Sequence, residues 1–526
     1  MSRGGRGVLL ALCLATAPRA ARPTGFTDYG NDILASPEPR YGLSGALRLR
    51  SEIFANLDLD RGPTPSGEVF FPVSMSEPGR QVLYAGDLRL RTDLSVYAPG
   101  GMVAVKARID VLDNLALGSG ADGLTGDSRT QRPPGAAFRI KRAYGELVTP
   151  VGYLAAGRVG AHWGLGLLVN GGDCADCDSG DAADRVAFIT PLVGHLVALA
   201  YDFSATGHLV RRRDEARVVD VEPAAAVRSW SVAILRHNTP AAHRRRNDAG
   251  RATWDYGATY AHRRQARDIP ASYLPLAAPA TVNAGQVVDR GFAAEVVDCY
   301  LSLDFGVGRI AVEAAMLLAS VRQTSLTPGL GIGAEARARQ RGAVFESDFG
   351  LAARVIGVGL DAGVASGDPA PGFGAQDGLS QLAFGKPGDL NGPQADMRTD
   401  RRIDNFRFHP DYRVDRILFR EIIGTVTDAA YVRPHAQVRL LRLRGAELVA
   451  SVAAIASWAV DVGSTPGGAR ALGVEIDPTL GYQTEDGLQA AFEYAVLFPF
   501  AGLDNPRLGL AAKAGQLFRL RLGFGF

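Results

Sequence analysis

At 526 residues, with 47% hydrophobic residues, mean hydropathy +0.02 and a formal net charge of +2, the chain has room for several domains or one large barrel. The balanced charge says little about partners, and nucleic acid is not expected among them. No apolar run of about 18 residues occurs beyond the N-terminus, which excludes membrane-spanning helices and leaves strands as the only way across a bilayer.

Residues 1–21 read as a signal peptide: Arg3 and Arg6 supply positive charge, and Val8 to Ala17 form a short apolar core ending in small residues. Leu10-Ala11-Leu12-Cys13 departs from a lipoprotein box because Leu12 stands where a small residue is needed. A short segment, 22–40, leads into a single domain over 41–526.

That domain reads as alternating strands. In 41–60, Leu43, Leu47, Leu49, Ile53, Leu57 and Leu59 are apolar, while Arg48, Arg50, Glu52, Asn56, Asp58 and Asp60 are polar. Period two means a strand with one oily and one wet face. Residues 82–96 repeat the pattern, with Asp87, Arg89, Arg91 and Asp93 on the wet face, and 103–111 follow with Lys106, Arg108 and Asp110. Later segments set Asp298 and Asp304, Glu346 and Asp348, then Glu447 and Asp461 against apolar alternates. Gly-, Pro- and Asp-containing short turns near 100, 150, 191, 307, 358, 445 and 486 alternate with long connections near 61–79, 114–135, 165–185, 207–225, 265–290, 323–341 and 367–429. The expected architecture is an all-β transmembrane antiparallel β-barrel of about 18 strands (16 to 20), with long outer loops and short periplasmic turns. Residues 239–249 would be a long periplasmic turn. Residues 413–424 would be an extra strand or part of an inserted loop. The 367–429 segment would be either a plug folded inside or a loop displayed outside.

The last strand carries the strongest sorting signal. Leu508, Leu510, Ala512, Ala514, Phe518, Leu520, Leu522, Phe524 and Phe526 share one face, with Lys513, Arg519 and Arg521 on the other. An amphipathic final strand ending in Phe526 resembles the signal read by the barrel assembly machinery, which places the chain in the cell outer membrane with both termini periplasmic.

Closing such a barrel sets Arg519 and Arg521 beside Arg48 and Arg50, then Arg89 and Arg91, then Lys106 and Arg108: a basic lumen wall. Asp298, Asp304, Glu346, Asp348, Glu475 and Asp477 make the remaining lumen more acidic, and such segregation sets ion preference in a pore. Paired charge that merely stiffens a wet interior uses the same residue types. In the loop from Asp173, Asp176, Asp178, Asp181 and Asp184 surround Gly180 and would either hold calcium or form a solvated acidic loop; no other cofactor is expected. Cys174 and Cys177 would pair as a disulfide or bind zinc, and Cys299 would face lipid unpaired. No G-x-S-x-G, H-E-x-x-H or Walker pattern argues for an enzyme.

Leu472-Gly-Val-Glu-Ile-Asp477, a strand through Tyr482, and Ala491-Phe-Glu-Tyr-Ala-Val-Leu-Phe-Pro-Phe500 resemble the C-terminal quarter of the alginate-export family of porins. Lys141-Arg142-Ala143-Tyr144, Gly157-Arg158 and Trp163-Gly-Leu-Gly are more loosely similar to porin-group barrels. The resemblance implies a monomeric barrel in outer-membrane lipid and makes Glu475 and Asp477 lumen-facing carboxylates. The functions open on this reading are a porin-like channel for small polar or anionic solutes, an exporter of an acidic polysaccharide, and a non-conducting structural or adhesion barrel.

Overall fold

A computed structural model of the chain describes residues 38–77, 79, 81–118, 138–211, 217–269, 284–325, 335–351, 355–375, 385–396 and 399–526. The expected signal peptide and nearly all of 22–40 lie outside the described residues, as does most of the 114–135 connection.

The strands are β1 (Arg40–Ala55), β2 (Val82–Tyr97), β3 (Val103–Ala116), β4 (Phe138–Thr149), β5 (Gly152–Gly160), β6 (Ala182–Leu192), β7 (His195–Ala205), β8 (Leu209–Arg211), β9 (Val218–Asp220) and β10 (Val227–Arg236). They continue as β11 (Thr253–Gln265), β12 (Phe292–Asp304), β13 (Gly308–Val321), β14 (Ala336–Leu351), β15 (Ile356–Ala365), β16 (Ala429–Leu443), β17 (Ala446–Ala459), β18 (Ala471–Thr484), β19 (Leu488–Pro499) and β20 (Gly515–Gly525). β8 and β9 form a small hairpin inside the connection from β7 to β10. The other strands make one 18-stranded antiparallel sheet in chain order, closed by β20 pairing with β1. Closure leaves no free sheet edge, so every spanning strand satisfies its backbone polar groups within the wall.

Alternation sorts the two faces. Leu43, Val105, Leu199, Phe492 and Leu520 are exposed on the outer surface, while Asp110, Glu313, Glu475 and Arg519 are buried inside. Cys299 is free and exposed, on the outer face as expected. The terminal Phe526 exchanges two backbone hydrogen bonds with Gly45, each 3.0 Å, so the chain end continues the β20–β1 seam. Both β1 and β20 have their chain-terminal ends on the rim of short turns.

Three stretches depart from the expected strands. The first alternating run does not continue to residue 60: β1 ends at Ala55, and Asn56, Leu59 and Asp60 have positive φ. Leu57 and Leu59 are 2% and 0% exposed, because they turn into the lumen and join an apolar core there instead of facing lipid. The final strand likewise begins only at Gly515; residues 508–510 belong to a bridged loop in which Asn505 pairs with Leu510. In both cases a loop continued the strand's alternation, so pattern alone misplaced the boundary. The long turn at 239–249 contains a helix, α1 (Pro240–Asp248), started by Pro240 and capped by Thr239 Oγ1 accepting from Ala242 N at 3.3 Å.

Most of the described residues of the 367–429 segment are folded inside, while Arg402 bridges to Arg337 of β14 at the rim. The segment's Phe406, Phe408, Ile417, Leu418, Phe419 and Ile422 are buried together with Leu57, Leu59 and Phe70 of the first loop, Leu167 of the β5–β6 loop and Leu503 of the last loop. Against this core lie the wall residues Phe54, Val344, Tyr431, Ile455, Leu497 and Leu517. Gly342 on β14 permits the approach, since a Cβ there would collide with the Phe406 ring. Residues 413–424, left open between strand and inserted loop, hold a π-helical turn, Leu418–Ile423, inside the lumen.

Candidate functional site

The inner loops are held to the wall by ionic and backbone hydrogen bonds, and these use most of the expected basic wall. Arg48 and Arg89 stand directly opposite each other on β1 and β2, a like-charge pair that is unfavourable alone. The β5–β6 loop relieves it: both guanidiniums donate to the Cys177 carbonyl, at 3.2 and 2.7 Å, and Arg48 also reaches Asp87 and Asp178 at 2.9 Å. Arg50 joins Asp87, Asp176 and Asp178 at 2.7, 3.1 and 3.1 Å. Arg91 pairs with Asp110 and donates to the Gly172 carbonyl, Arg108 pairs with Asp93 and Asp173, and Lys106 pairs with Glu146. Arg519 contacts Glu52 and lies 3.5 to 3.6 Å from Glu493, Glu421 and Asp176; Arg521 reaches Glu493 at 3.2 Å.

The two large inner loops also bind each other. Asp411 accepts backbone N–H bonds from Asp178, Ser179 and Gly180 at 2.8 to 3.0 Å, a compact anion nest. Arg413 and Arg420 reach back to Asp178 and Asp176. Burial opposes the ionised form of Asp178, but Arg50, Arg48, Arg420 and Arg413 outweigh it and hold the pKa at about 2. Asp176 is likewise held well below the usual carboxylate range, with Arg420, Arg519 and Arg50 overcoming its burial.

The four aspartates proposed around Gly180 are therefore spread over different partners. Asp176 and Asp178 face arginines, Asp181 lies 3.3 Å from His409, and Asp184 pairs with Arg158 at 2.8 Å. Among the described residues no cluster of three or more His, Cys, Asp or Glu suited to a metal is present. Cys174 and Cys177 form a disulfide within this loop.

The acidic residues divide three ways. Glu475 is buried and accepts from the backbone N–H groups of Arg416, Ile417 and Leu418 at 2.8, 2.8 and 3.0 Å, satisfying the start of the π-helical turn, with Asp477 4.0 Å from Arg416. Glu346 accepts from Tyr412 of the plug at 2.9 Å, and Asp298 faces inward, buried. Asp304 lies at the other rim, where Asn247 of α1 donates to it at 2.9 Å, and Asp348 is exposed 3.9 Å from His435.

A cavity of about 710 Å³ opens between the β5–β6 loop and the wall. Its lining carries seven cations, Arg91, Arg108, Arg139, Lys141, Arg142, Arg158 and Arg263, against three carboxylates, Asp181, Asp184 and Asp202. Further carboxylates stand behind several cations: Asp113 lies 3.4 Å from Arg139 and 3.2 Å from Lys141, and Asp173 lies 3.0 Å from Arg142. Arg263 donates to Ser229 Oγ at 2.9 Å and has no ionic partner among the described residues. Arg139, Lys141, Arg142, Arg158 and Arg263 were not assigned to the lumen wall from alternation. For Lys141 and Arg142 a β-bulge is the reason: the β3–β4 register shifts between Arg108 and Ile109 and skips Lys141, so both reach lumen aspartates although they are adjacent in sequence.

No family model matches the chain, and no curated protein sequence matches it. Solved structures similar over nearly its whole length include OccK11 (OpdR) of Pseudomonas aeruginosa, 12% identical with TM-score 0.45, aligned over 95% of this chain and 99% of that one. A BenF-like porin from Pseudomonas fluorescens Pf-5 is 10% identical with TM-score 0.43, over 93% and 100% of the two chains. An anion-selective porin from Comamonas acidovorans is 11% identical with TM-score 0.39, over 93% and 100%. The likeness is one of barrel architecture.

Proposed function

We propose that the chain is a porin-like outer-membrane channel for small anionic solutes, with its long connections toward the cell exterior and both chain ends at the periplasmic rim. The observation that carries this reading is the cavity whose lining holds seven cations against three carboxylates, with Arg263 free of any ionic partner among the described residues. Guanidinium and ammonium groups presented to a water-filled cleft with low-dielectric walls raise the local anion concentration and bind carboxylate or phosphate reversibly. The packed apolar core of the plug restricts passage to the cavity side, which favours small solutes over a polymer such as an acidic polysaccharide. Outer-membrane lipid surrounds the apolar face, and the terminal Phe526 on the seam strand supports recognition by the barrel assembly machinery.

Reversal potentials across a planar bilayer under a potassium chloride gradient test the proposal. The wild type should favour chloride, and R139Q/K141Q/R263Q should move the potential toward cation preference. A silent or cation-selective wild type would sink it.

A further inference from the structure

Outward positions of the barrel are mostly apolar, and arginines that break the pattern concentrate on one side of the long-loop rim. On β14, Gly342 faces the plug and Val344 is 2% exposed in the lumen core, so alternation turns Arg337, Arg339 and Arg341 to the outer surface. All three are exposed. Arg337 has Glu335 at 2.9 Å, whereas Arg339 and Arg341 have no ion-pair partner among the described residues. Residues two apart on a strand rise about 7 Å, so the three guanidiniums form a continuous stripe.

A second site of the same sign lies three strands away. Arg263 points inward to Ser229, so its neighbour Arg264 on β11 points out, where it stands opposite Arg228 on β10. Like charges facing each other across strands are unfavourable. Arg228 turns to the Phe203 ring, 5.2 Å from its centroid, and leaves Arg264 exposed with no ion-pair partner among the described residues. One rung further from the rim, Trp230 stacks near Tyr260 and His262, with centroids 5.3 and 5.8 Å away. Trp and Tyr belts mark headgroup height, so Arg228 and Arg264 just above this cluster meet the polar layer of the leaflet; followed across the register, Arg337 is on the Arg264 rung, Arg339 on the His262 rung and Arg341 on the Tyr260 rung. An outward arginine is costly at the bilayer midplane and carries little penalty near the interface, which argues for the same height. Elsewhere on that rim, Tyr84, Phe138 and Ile140 take the outward positions.

We infer that the outer face of β10–β14 binds the phosphorylated glycolipid headgroup of the outer leaflet, with Arg337, Arg339 and Arg341 as the phosphate contacts. Arg264 adds a second contact about 14 Å away, three strand spacings across the sheet. Guanidinium groups suit phosphate because their fork matches two of its oxygens. The glycolipid in place of a simple phospholipid is favoured by this lateral spread of cations. The inference rests on the long-loop rim facing the cell exterior.

Native mass spectrometry of the detergent-solubilised full chain tests it by titration with bisphosphorylated lipid A, lipid A stripped of both phosphates, and phosphatidylglycerol. The wild type should form a saturable adduct with the first alone. R337Q/R339Q/R341Q should weaken it about tenfold, a loss of about 1.4 kcal/mol. R337K/R339K/R341K, which keeps the charge but loses the fork, should bind at a strength between the wild type and the glutamine triple, and the lumen variant R139Q/K141Q/R263Q should bind as the wild type does. Undiminished binding by the glutamine triple, equal binding of phosphate-free lipid A, or equal competition by phosphatidylglycerol would overturn the site. Heat-modifiable gel migration checks that each variant is folded. Binding in detergent does not depend on conduction or orientation. A silent barrel that binds lipid A therefore loses only the channel reading, and a conducting barrel blind to lipid A loses only this site.

Discussion

The two sides of the lumen use the same side chains differently. Against β14–β20 and β1, arginines and carboxylates are buried around an apolar plug and hold one another or its backbone, as Arg519 and Glu475 illustrate. Against β3–β7 and β11, the cations line a cavity, and several of their carboxylates stand behind them. A buried charge must be paired or its desolvation is uncompensated, so the first group acts as fastening. Charges that keep their water can exchange partners with a solute, so only the second group is free to select. Inward orientation alone does not separate the two.

This contrast can be broken most strongly at the plug. Replacing residues 405–425 by a short Gly–Ser linker removes the centre of the apolar core and should raise single-channel conductance several-fold. Unchanged conductance would mean that ions never passed beside the plug. Next in size, R50Q/R420Q deprives Asp176 of its two nearest cations and Asp178 of two of its four, and should give larger, noisier openings while leaving anion preference in place. A shift in reversal potential without a change in conductance would instead put Arg50 in the solute path.

Acid should act on the same fastening. The folded pKa of Asp178, about 2, lies below the ordinary 3.8, so its contribution is present above about pH 4 and lost as pH falls through about 2. Conductance traces should keep their plug-closed level from pH 7 to 4 as far as this group is concerned. Opening that begins near pH 6 would point to another group. The smallest effect belongs to the disulfide. Its ring is so short that C174A/C177A should lower unfolding free energy by about 2 kcal/mol at most. Denaturant melts would register that change, and selectivity should not move.

The barrel itself was legible because strand alternation, turn chemistry and loop lengths all imposed the same order. The cross-seam neighbourhood of Arg50 and Arg521 followed from closure alone, and the register pairs them. The plug was not decidable from pattern: Leu57 and Leu59 continue the alternation of β1 faultlessly, yet positive φ at Asn56 and Leu59 turns them inward. Basic residues could be assigned to the wall but not divided into fastened and free, since that depends on which loop carbonyl or carboxylate meets each one. The cavity cations on β4 escaped for a narrower reason. A bulge makes two consecutive residues share a side, and period two has no place for that.

Arg519 also bears on how the barrel is built. This guanidinium, 1% exposed, on the last strand serves Glu52 of the first strand, Glu493 of the preceding one, and Asp176 and Glu421 of the two inner loops. Until β20 is in place, those four carboxylates lack this shared counter-charge, although Arg50 on β1 and Arg420 in the plug already serve Asp176. Sealing the cylinder thus adds a last tie between wall and stopper, one that a sheet without its final strand cannot make.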